Sequence, residues 1–111
     1  MNPISYSDFE KVAMRVGTIL EAVVFPEAKK PAYKLKIDFG NGDIRRSSAQ
    51  ITLRYKPEEL VGRQIIAVTN FPTKQIGPFV SECLVLGAVP TSTDVVLLSP
   101  DFKVENGTRI A

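Results

Sequence analysis

The chain has 111 residues, of which 44% are hydrophobic and 23% are charged. This length suits one domain with one modest hydrophobic core, so residues 1–111 are predicted to form a single domain. Histidine is absent and Cys83 is the only cysteine. These absences exclude a Ser-His or Cys-His catalytic pair, a structural zinc site and an intrachain disulfide. Neither a metal nor another cofactor is predicted.

The sequence also lacks a membrane-targeting pattern. No apolar run reaches the roughly 18–20 residues that a spanning helix needs, and the longest runs, Ile65–Val68 and Leu84–Val89, have the length of strands. The N-terminal residues lack the positive start and apolar stretch of a signal peptide. A lone cysteine is typical of a reducing compartment. We therefore expect a cytoplasmic protein that does not insert into a membrane.

The first predicted elements are a short helix and a long strand. The sequence Ser7–Glu10 has the Ser-x-x-Glu spacing of a capping box, which predicts a helix over about residues 8–12. Arg15–Phe25 reads as one strand, in which Gly17 is predicted to form a bulge or bend.

The clearest strand pair follows in the middle of the chain. Tyr33–Phe39 alternates apolar with charged residues, which indicates a strand with one buried and one wet face. Asn41-Gly42 supplies the two positive φ angles of a tight hairpin turn, and Asp43–Gln50 is predicted to return as the partner strand.

The second half of the chain is predicted to hold short helical turns and three more strands. Residues 51–60 read as helical turns, with Pro57 suited to the start of a helix. A second Asn-Gly pair at 106–107 suggests a small C-terminal hairpin. The remaining strands are predicted at Gln64–Phe71, Phe79–Gly87 and Asp94–Leu98.

These elements predict an all-β fold of five or six strands. A short helical insertion between the third and fourth strands, after a short N-terminal helix, is the order of a five-stranded Greek-key oligonucleotide-binding (OB) barrel. An SH3-like barrel is the alternative, because the number of strands does not fix their topology.

Charge is unevenly distributed along the chain although the net charge is only +2. Residues 29–74 hold ten basic and four acidic side chains, so this segment carries +6 and the remainder −4. Lys34 and Lys36 share a strand face, and Arg46 would join them if the pairing register allows, with Arg45 pointing the other way. This face either binds an anionic ligand or is a solvated face whose lysines discourage aggregation.

No catalytic arrangement accompanies this basic face. The serines at 47, 48 and 81 have no neighbouring base, and Cys83 lies in an apolar strand, where it is expected to be buried packing. The sequence therefore predicts a protein that binds and does not catalyse.

Several short motifs, in order and spacing, resemble the tRNA-binding domain that is also appended to some methionyl- and phenylalanyl-tRNA synthetases. The resemblance covers essentially the whole chain. Its motifs are Arg15-Val16-Gly17-Thr18-Ile19, Phe25-Pro26-Glu27-Ala28, Leu35-x-Ile37-Asp38-Phe39-Gly40, Arg46-Ser47-Ser48-Ala49-Gln50-Ile51, Tyr55-x-Pro57-Glu58-x-Leu60-x-Gly62, Val68-x-Asn70-Phe71-Pro72 and Gly77-x-x-x-Ser81-Glu82-x-Leu84-x-Leu86-Gly87.

Two departures point to one branch of that family. The synthetase-appended domains usually carry Ser-Gly where this chain has Ser48-Ala49-Gln50, and Ser-x-Gly-Met where it has Ser81-Glu82-Cys83-Leu84. In both places the chain looks more like the stand-alone bacterial chaperones with export-related activity.

The resemblance implies an OB fold and a homodimer that binds tRNA or tRNA-like RNA. It also implies binding of unfolded or precursor polypeptides, and with them a link to the protein-export machinery. Basic side chains on the ligand face would contact phosphates, and the polar ones would contact a base or ribose or orient the ligand. These predicted RNA-binding residues are Lys34, Lys36, Arg46, Gln50, Asn70, Lys74, Ser81 and Glu82.

Two further sets of residues complete the prediction. Phe71, Ile76 and Phe79 border the loop between Pro72 and Pro78 and are candidates for peptide contacts. Extensions at about 1–14 and 99–111 are expected to build the dimer. Their candidate interface residues are Phe9, Val12, Phe102, Val104 and Ile110. The alternative functions are a dedicated structure-specific tRNA-binding protein without chaperone role and, less in keeping with the missing histidine, a small enzyme.

Overall fold

A five-stranded antiparallel sheet forms most of the computed structural model, which describes all residues 1–111. Its strands lie in the order β3-β2-β1-β4-β7, and β5-β6 and β8-β9 form two separate hairpins. The helices are α1 (Tyr6–Glu10) and α2 (Pro57–Leu60). The strands are β1 (Met14–Val24), β2 (Tyr33–Asp38), β3 (Ile44–Ala49), β4 (Gln64–Val68), β5 (Lys74–Ile76), β6 (Phe79–Ser81), β7 (Leu84–Val85), β8 (Gly87–Thr91) and β9 (Asp94–Leu97).

The predicted alternation along β2 is confirmed by its burial. Tyr33, Leu35 and Ile37 point into a core of eleven buried residues, while Lys36 between them is exposed. The turn that follows has positive φ at Asn41 (53°) and Gly42 (78°), as predicted. Burial of one face therefore fixes the register of this hairpin.

Gly17 has a different role from the one predicted. It stays in regular register opposite Ile65, and the bulge in β1 lies between Ile19 and Glu21 instead. A Cβ at position 17 would stand 2.6 Å from Ile37 Cγ2 and 2.8 Å from the Phe39 ring. Glycine is required here because the barrel interior packs directly against the backbone of β1.

The N-terminal helix begins two residues earlier than predicted. Ser5 caps it by accepting from the Asp8 backbone N–H, and the Asp8 carboxylate accepts from the Ser5 N–H in return. The capping box predicted at Ser7–Glu10 is therefore wrong, because an aspartate at the third helical position closes the box equally well. Helix α2 lies between β3 and β4 with Pro57 in its first turn, as expected.

The strand predicted over 79–87 is broken into separate strands. Its first part, β6, pairs with β5, whereas Leu84–Val85 pairs with β4. The strand predicted over 64–71 ends at Val68, and β9 leaves the barrel to pair with β8. The residues between β6 and β7 hydrogen-bond to β3, and Gly87 pairs with β9, so residues 79–87 contact four different strands.

The C-terminal segment forms no hairpin of its own, contrary to the prediction. It runs along the part of β1 that β2 leaves free, where the Ile110 N–H donates to Met14 O at 2.9 Å. The Gln64 side chain holds its start, with Nε2 donating to Val104 O and Oε1 accepting from Val104 N–H. An unpaired strand edge can pair with another chain, and here the C-terminal segment of the same chain covers the free edge of β1.

The residues predicted for dimerisation lie in these two extensions, which meet at the start of β1. The Phe102 ring is 79% exposed, and Val12 and Val104 are also exposed in the single chain. Phe9 and Ile110 are half-buried.

The barrel closes between β3 and the chain around Cys83. The Ser47 hydroxyl, fully buried, donates to Cys83 O at 2.8 Å, and the Glu82 N–H donates to Arg46 O at 2.8 Å. A nearly closed five-stranded antiparallel barrel with a helix between its third and fourth strands is an OB barrel. The predicted fold class is confirmed.

A cluster of charged side chains, Asp43 with Arg15 and Arg45, lies at one end of the barrel. Asp43 accepts from Arg15 Nη2 at 2.8 Å and from Arg45 Nε at 3.0 Å, and Arg15 also lies over the Phe39 ring. Hydrogen bonding to Arg45 is the main cause that lowers the pKa of the Asp43 carboxyl below its ordinary value, and Arg15 adds to it.

This cluster predicts an acid-sensitive contribution to stability. A carboxyl whose pKa is lowered by folding stabilises the fold above its unfolded pKa of about 3.9 and loses that effect as pH falls through the folded value. Asp43→Asn should therefore lower the free energy of unfolding by about 1 kcal/mol at pH 7. The difference from the wild type should shrink below about pH 4 and vanish in stronger acid.

Urea unfolding from pH 2 to pH 7 measures both stabilities. Asp101→Asn is the matched control, because Asp101 is exposed and its substitution should leave the curve unchanged. A deficit in Asp43→Asn that persists unchanged at pH 2 would contradict the assignment to this carboxylate.

Candidate nucleic-acid interface

Strands β2 and β3 bring the predicted basic residues onto one face. Lys36 lies directly opposite Arg46 and Lys34 directly opposite Ser48 in the antiparallel register. Opposed residues share a face, so Lys34, Lys36 and Arg46 stand together, as predicted. Arg45 points the other way and belongs to the barrel-end cluster around Asp43.

The first row across this face is electrically balanced. It runs Glu21, Lys36, Arg46, Glu82 over adjacent chain segments, and we call it the paired row. Lys36 Nζ lies 3.3 Å from Glu21 Oε2, and Arg46 Nε lies 3.6 Å from Glu82 Oε1. Its two cations are already matched by two carboxylates.

The second row carries no carboxylate. It runs Lys34, Ser48, Ser81, Lys74, and we call it the lysine row. The Ser48 N–H donates to Ser81 Oγ at 3.3 Å, and Ser81 pairs with Lys74 in the β5–β6 hairpin. Neither lysine makes an ion pair with any carboxylate of the chain. The row therefore presents two unneutralised charges separated by two serine positions.

Aromatic rings support the cations of both rows from beneath. Lys34 Nζ lies 5.5 Å from the Phe25 ring centroid, and the Arg46 guanidinium lies 5.4 Å from that of Phe79. The two rings contact each other, with centroids 5.3 Å apart, in a second small core with Ala32. Phe79, predicted as a peptide contact, is 7% exposed and supplies packing and cation–π support in this structure.

A groove of about 680 Å³ opens beside the lysine row and is hereafter called the apolar groove. Ten of its sixteen lining residues are hydrophobic. The exposed ones include Phe71 (53% exposed), Leu84 and Val89, and the polar wall holds Ser48 and Gln50. From the predicted residues the groove gathers Gln50, Phe71, Lys74, Ile76 and Ser81.

Asn70 lies apart from both rows, although it was predicted to contact the ligand. Its Oδ1 accepts from the Ala13 N–H at 3.0 Å and its Nδ2 donates to Lys11 O at 2.7 Å. The side chain thus fastens the N-terminal extension to the end of β4. Asn70, Ala13 and Lys11 are all exposed, so these hydrogen bonds fasten two segments at the surface.

Some residues of the site are not among those predicted from the sequence. Leu84 and Val89 line the apolar groove, yet the sequence places Leu84 only within the predicted strand Phe79–Gly87 and predicts no contact for Val89. Ser48 was considered only as a nucleophile, although it follows Arg46 by two residues and so had to share its face. Its place beside Ser81 depends on the long-range closure of the barrel.

Cys83 and the acidic side chains do not add a second kind of site to this face. Burial raises the pKa of the Cys83 thiol to about 11, so the thiolate needed for nucleophilic attack is scarce at neutral pH. The structure contains no group of three or more carboxylate or cysteine side chains placed to hold a metal ion. It also contains no helix long and apolar enough to cross a membrane.

The fold and this face define the class of protein: a small OB barrel that presents a binding surface. The chain belongs to the family described as "Putative tRNA binding domain", whose model matches residues 14–109. Among curated proteins it is 38% identical to the methionine–tRNA ligase of Bdellovibrio bacteriovorus and 36% identical to that of Pyrococcus furiosus. These matches cover 96% and 99% of this chain, and the chain spans about 15% of the length of each ligase.

Solved structures match over the full length of both chains. The chaperone CsaA of Bacillus anthracis is 50% identical with a TM-score of 0.95, covering 99% of this chain and 100% of that one. The CsaA chaperone protein of Picrophilus torridus is 55% identical with a TM-score of 0.91, covering 98% and 100%. A methionyl-tRNA synthetase-related protein of Pyrococcus horikoshii is 30% identical with a TM-score of 0.88 and full coverage of both. The chain is thus a tRNA-binding-domain protein that is similar to the CsaA chaperones.

Proposed function

We propose that this protein is a non-enzymatic, cytoplasmic binding protein that holds tRNA by its phosphate backbone along the lysine row. The observation that carries the proposal is that Lys34 and Lys74, neither of which has a carboxylate partner, flank two serine positions in one row of the sheet. Lysines without an internal partner gain most from a phosphate, because binding releases counterions without breaking an ion pair. Ser48, Ser81 and Gln50 offer hydrogen bonds between and beside the two charges.

The paired row has a different role in this proposal. Arg46 and Lys36 would first have to leave Glu82 and Glu21, so each contributes less to RNA affinity than its charge suggests. Glu82 keeps Arg46 in place and joins β3 to the β6–β7 segment. It supports the ligand face from its edge.

The first prediction concerns the dependence of tRNA binding on salt. Lys34→Gln/Lys74→Gln should weaken binding of bulk tRNA and reduce the slope of log affinity against log salt by about 0.7–0.9 for each phosphate contact removed. Lys36→Gln should change the slope less, because Lys36 is already paired with Glu21. Titration or gel shift across a salt series measures the slope.

The matched control is Lys30→Gln/Lys56→Gln, which removes the same charge from two exposed lysines outside the rows and outside the terminal extensions. It should leave both affinity and slope close to the wild type. Equal losses in the two double variants would mean that net charge alone governs binding, and the lysine row would then lose its assigned role.

A second function, as an export-related chaperone for unfolded or precursor polypeptides, is favoured by the apolar groove. Phe71, Leu84 and Val89 are exposed side by side in a concave surface, where an extended chain can bury apolar side chains. The full-length similarity to two CsaA chaperone structures supports this function, and a dedicated tRNA-binding protein is equally compatible with that similarity. Contact with the export machinery stays a prediction from that similarity.

Salt separates polypeptide binding from RNA binding. Carbamidomethylated α-lactalbumin, which stays unfolded, should bind by fluorescence anisotropy and should keep or gain affinity as salt rises, because apolar burial strengthens. Phe71→Ser/Leu84→Ser should reduce this affinity at least tenfold. This corresponds to about 1.4 kcal/mol, well within the value of two exposed apolar side chains that become buried.

Leu53→Ser serves as the control, since Leu53 is 65% exposed but lies outside the apolar groove. Its affinity for the unfolded polypeptide should match the wild type. Full retention of affinity in the groove variant, with tRNA binding intact, would favour the dedicated tRNA-binding protein instead.

We further propose that two copies associate through the N- and C-terminal extensions. Phe102, Val12 and Val104 are exposed apolar side chains in the two extensions, and Phe9 and Ile110 in the same extensions are half-buried. Phe102→Glu should convert the dimer to a monomer in analytical ultracentrifugation, because a buried unpaired carboxylate is costly. Leu53→Glu should leave the dimer intact, and a wild-type protein that sediments as a monomer would contradict the proposal.

A further inference from the structure

The lysine row and the apolar groove are parts of one continuous surface. Three of the four residues in the row, Ser48, Ser81 and Lys74, also line the groove. Only Lys34 does not line the groove; it lies on β2, directly opposite Ser48 on β3. A ligand that follows the row must therefore cross the polar wall of the groove.

We propose that tRNA and an unfolded polypeptide exclude each other on a single protomer, so that RNA acts as a release signal for a bound polypeptide. This inference rests on the proposed function, since it takes both ligands to bind where described above. It adds that the two sites overlap physically, and that occupancy by one ligand regulates occupancy by the other.

The wall that both ligands share is fastened by hydrogen bonds at the closure of the barrel. The Ser48 N–H donates to Ser81 Oγ at 3.3 Å, and Ser81 Oγ lies 3.4 Å from Cys83 O at the point where the barrel closes. Moving this wall aside to admit a second ligand would break the contact between β3 and the β6–β7 segment. Displacement of this wall would cost free energy, so two ligands whose sites overlap there compete for the protein.

The two ligands would also contact the same residues near Lys74. Lys74, Ser48 and Ser81, which would hold a phosphate, line the same groove as Phe71 and Leu84, against which a polypeptide would bury its side chains. A polypeptide in this groove therefore covers part of the surface that the RNA backbone needs.

Competition binding tests the inference. Fluorescent carbamidomethylated α-lactalbumin is bound to the full-length protein at constant, low salt and titrated with unlabelled bulk tRNA. The apparent dissociation constant of the polypeptide should rise linearly with tRNA, reaching about tenfold at a tRNA concentration of about nine times its own Kd, and bound polypeptide should fall to zero. A plateau of bound polypeptide at tRNA concentrations that saturate every protomer, or a ternary complex formed by the monomeric Phe102→Glu variant in sedimentation, overturns the inference.

A lysine variant links the competition to the row. Lys34→Gln should shift the displacement curve to higher tRNA concentrations, when protein is adjusted to the same starting saturation with polypeptide. Lys56→Gln should not shift it, and equal shifts would overturn the assignment to the row.

The separate titrations with each ligand come first and distinguish two kinds of failure. If one ligand does not bind alone, the proposed function fails. If both bind alone and also bind together, only the exclusion fails.

Discussion

The contact between β3 and the chain at Glu82–Cys83 is the constraint on which the rest of this structure depends. Ser47, buried in an otherwise apolar core, is hydrogen-bonded to Cys83 O, and Glu82 and Arg46 exchange backbone and side-chain hydrogen bonds. A buried hydroxyl without a partner would cost free energy, so the serine specifies where the barrel closes. An apolar residue at the same position would fill the space without fixing the register.

This closure also divides the charge on the ligand face. It brings the Glu82 carboxylate to Arg46 and so neutralises that cation, while it brings a serine, and no carboxylate, to Ser48. Because Lys34 is opposite Ser48, the unneutralised charge lies in the lysine row and not in the paired row. Ser81 and Leu84, on either side of the chain that closes the barrel, both line the groove together with Ser48 of β3, which is why the RNA and polypeptide surfaces share a wall.

Local sequence predicted most of the barrel. The alternation in Tyr33–Phe39, the Asn41-Gly42 turn and Pro57 at the start of α2 were all confirmed, because each depends on interactions within a few residues. The errors arose where distant segments compete. Gly17 reads as a bend by propensity, yet it is needed for the close approach of Ile37 and Phe39. Phe79–Gly87 reads as one strand, yet its residues pair with four different strands, β5, β3, β4 and β9.

The sequence by itself determined the fold class, the family and the identity of the basic face, since periodicity and the order of short motifs are properties of the chain. Tertiary structure alone decided which of those charges are free. Lys36 and Arg46 differ from Lys34 and Lys74 only in what lies beside them, and those neighbours are up to 36 residues away along the chain. It likewise decided that Phe79 is buried while Phe71 is exposed. The sequence shows how many charged and aromatic side chains there are. Which charges form ion pairs and which rings are buried depends on which strands lie next to each other.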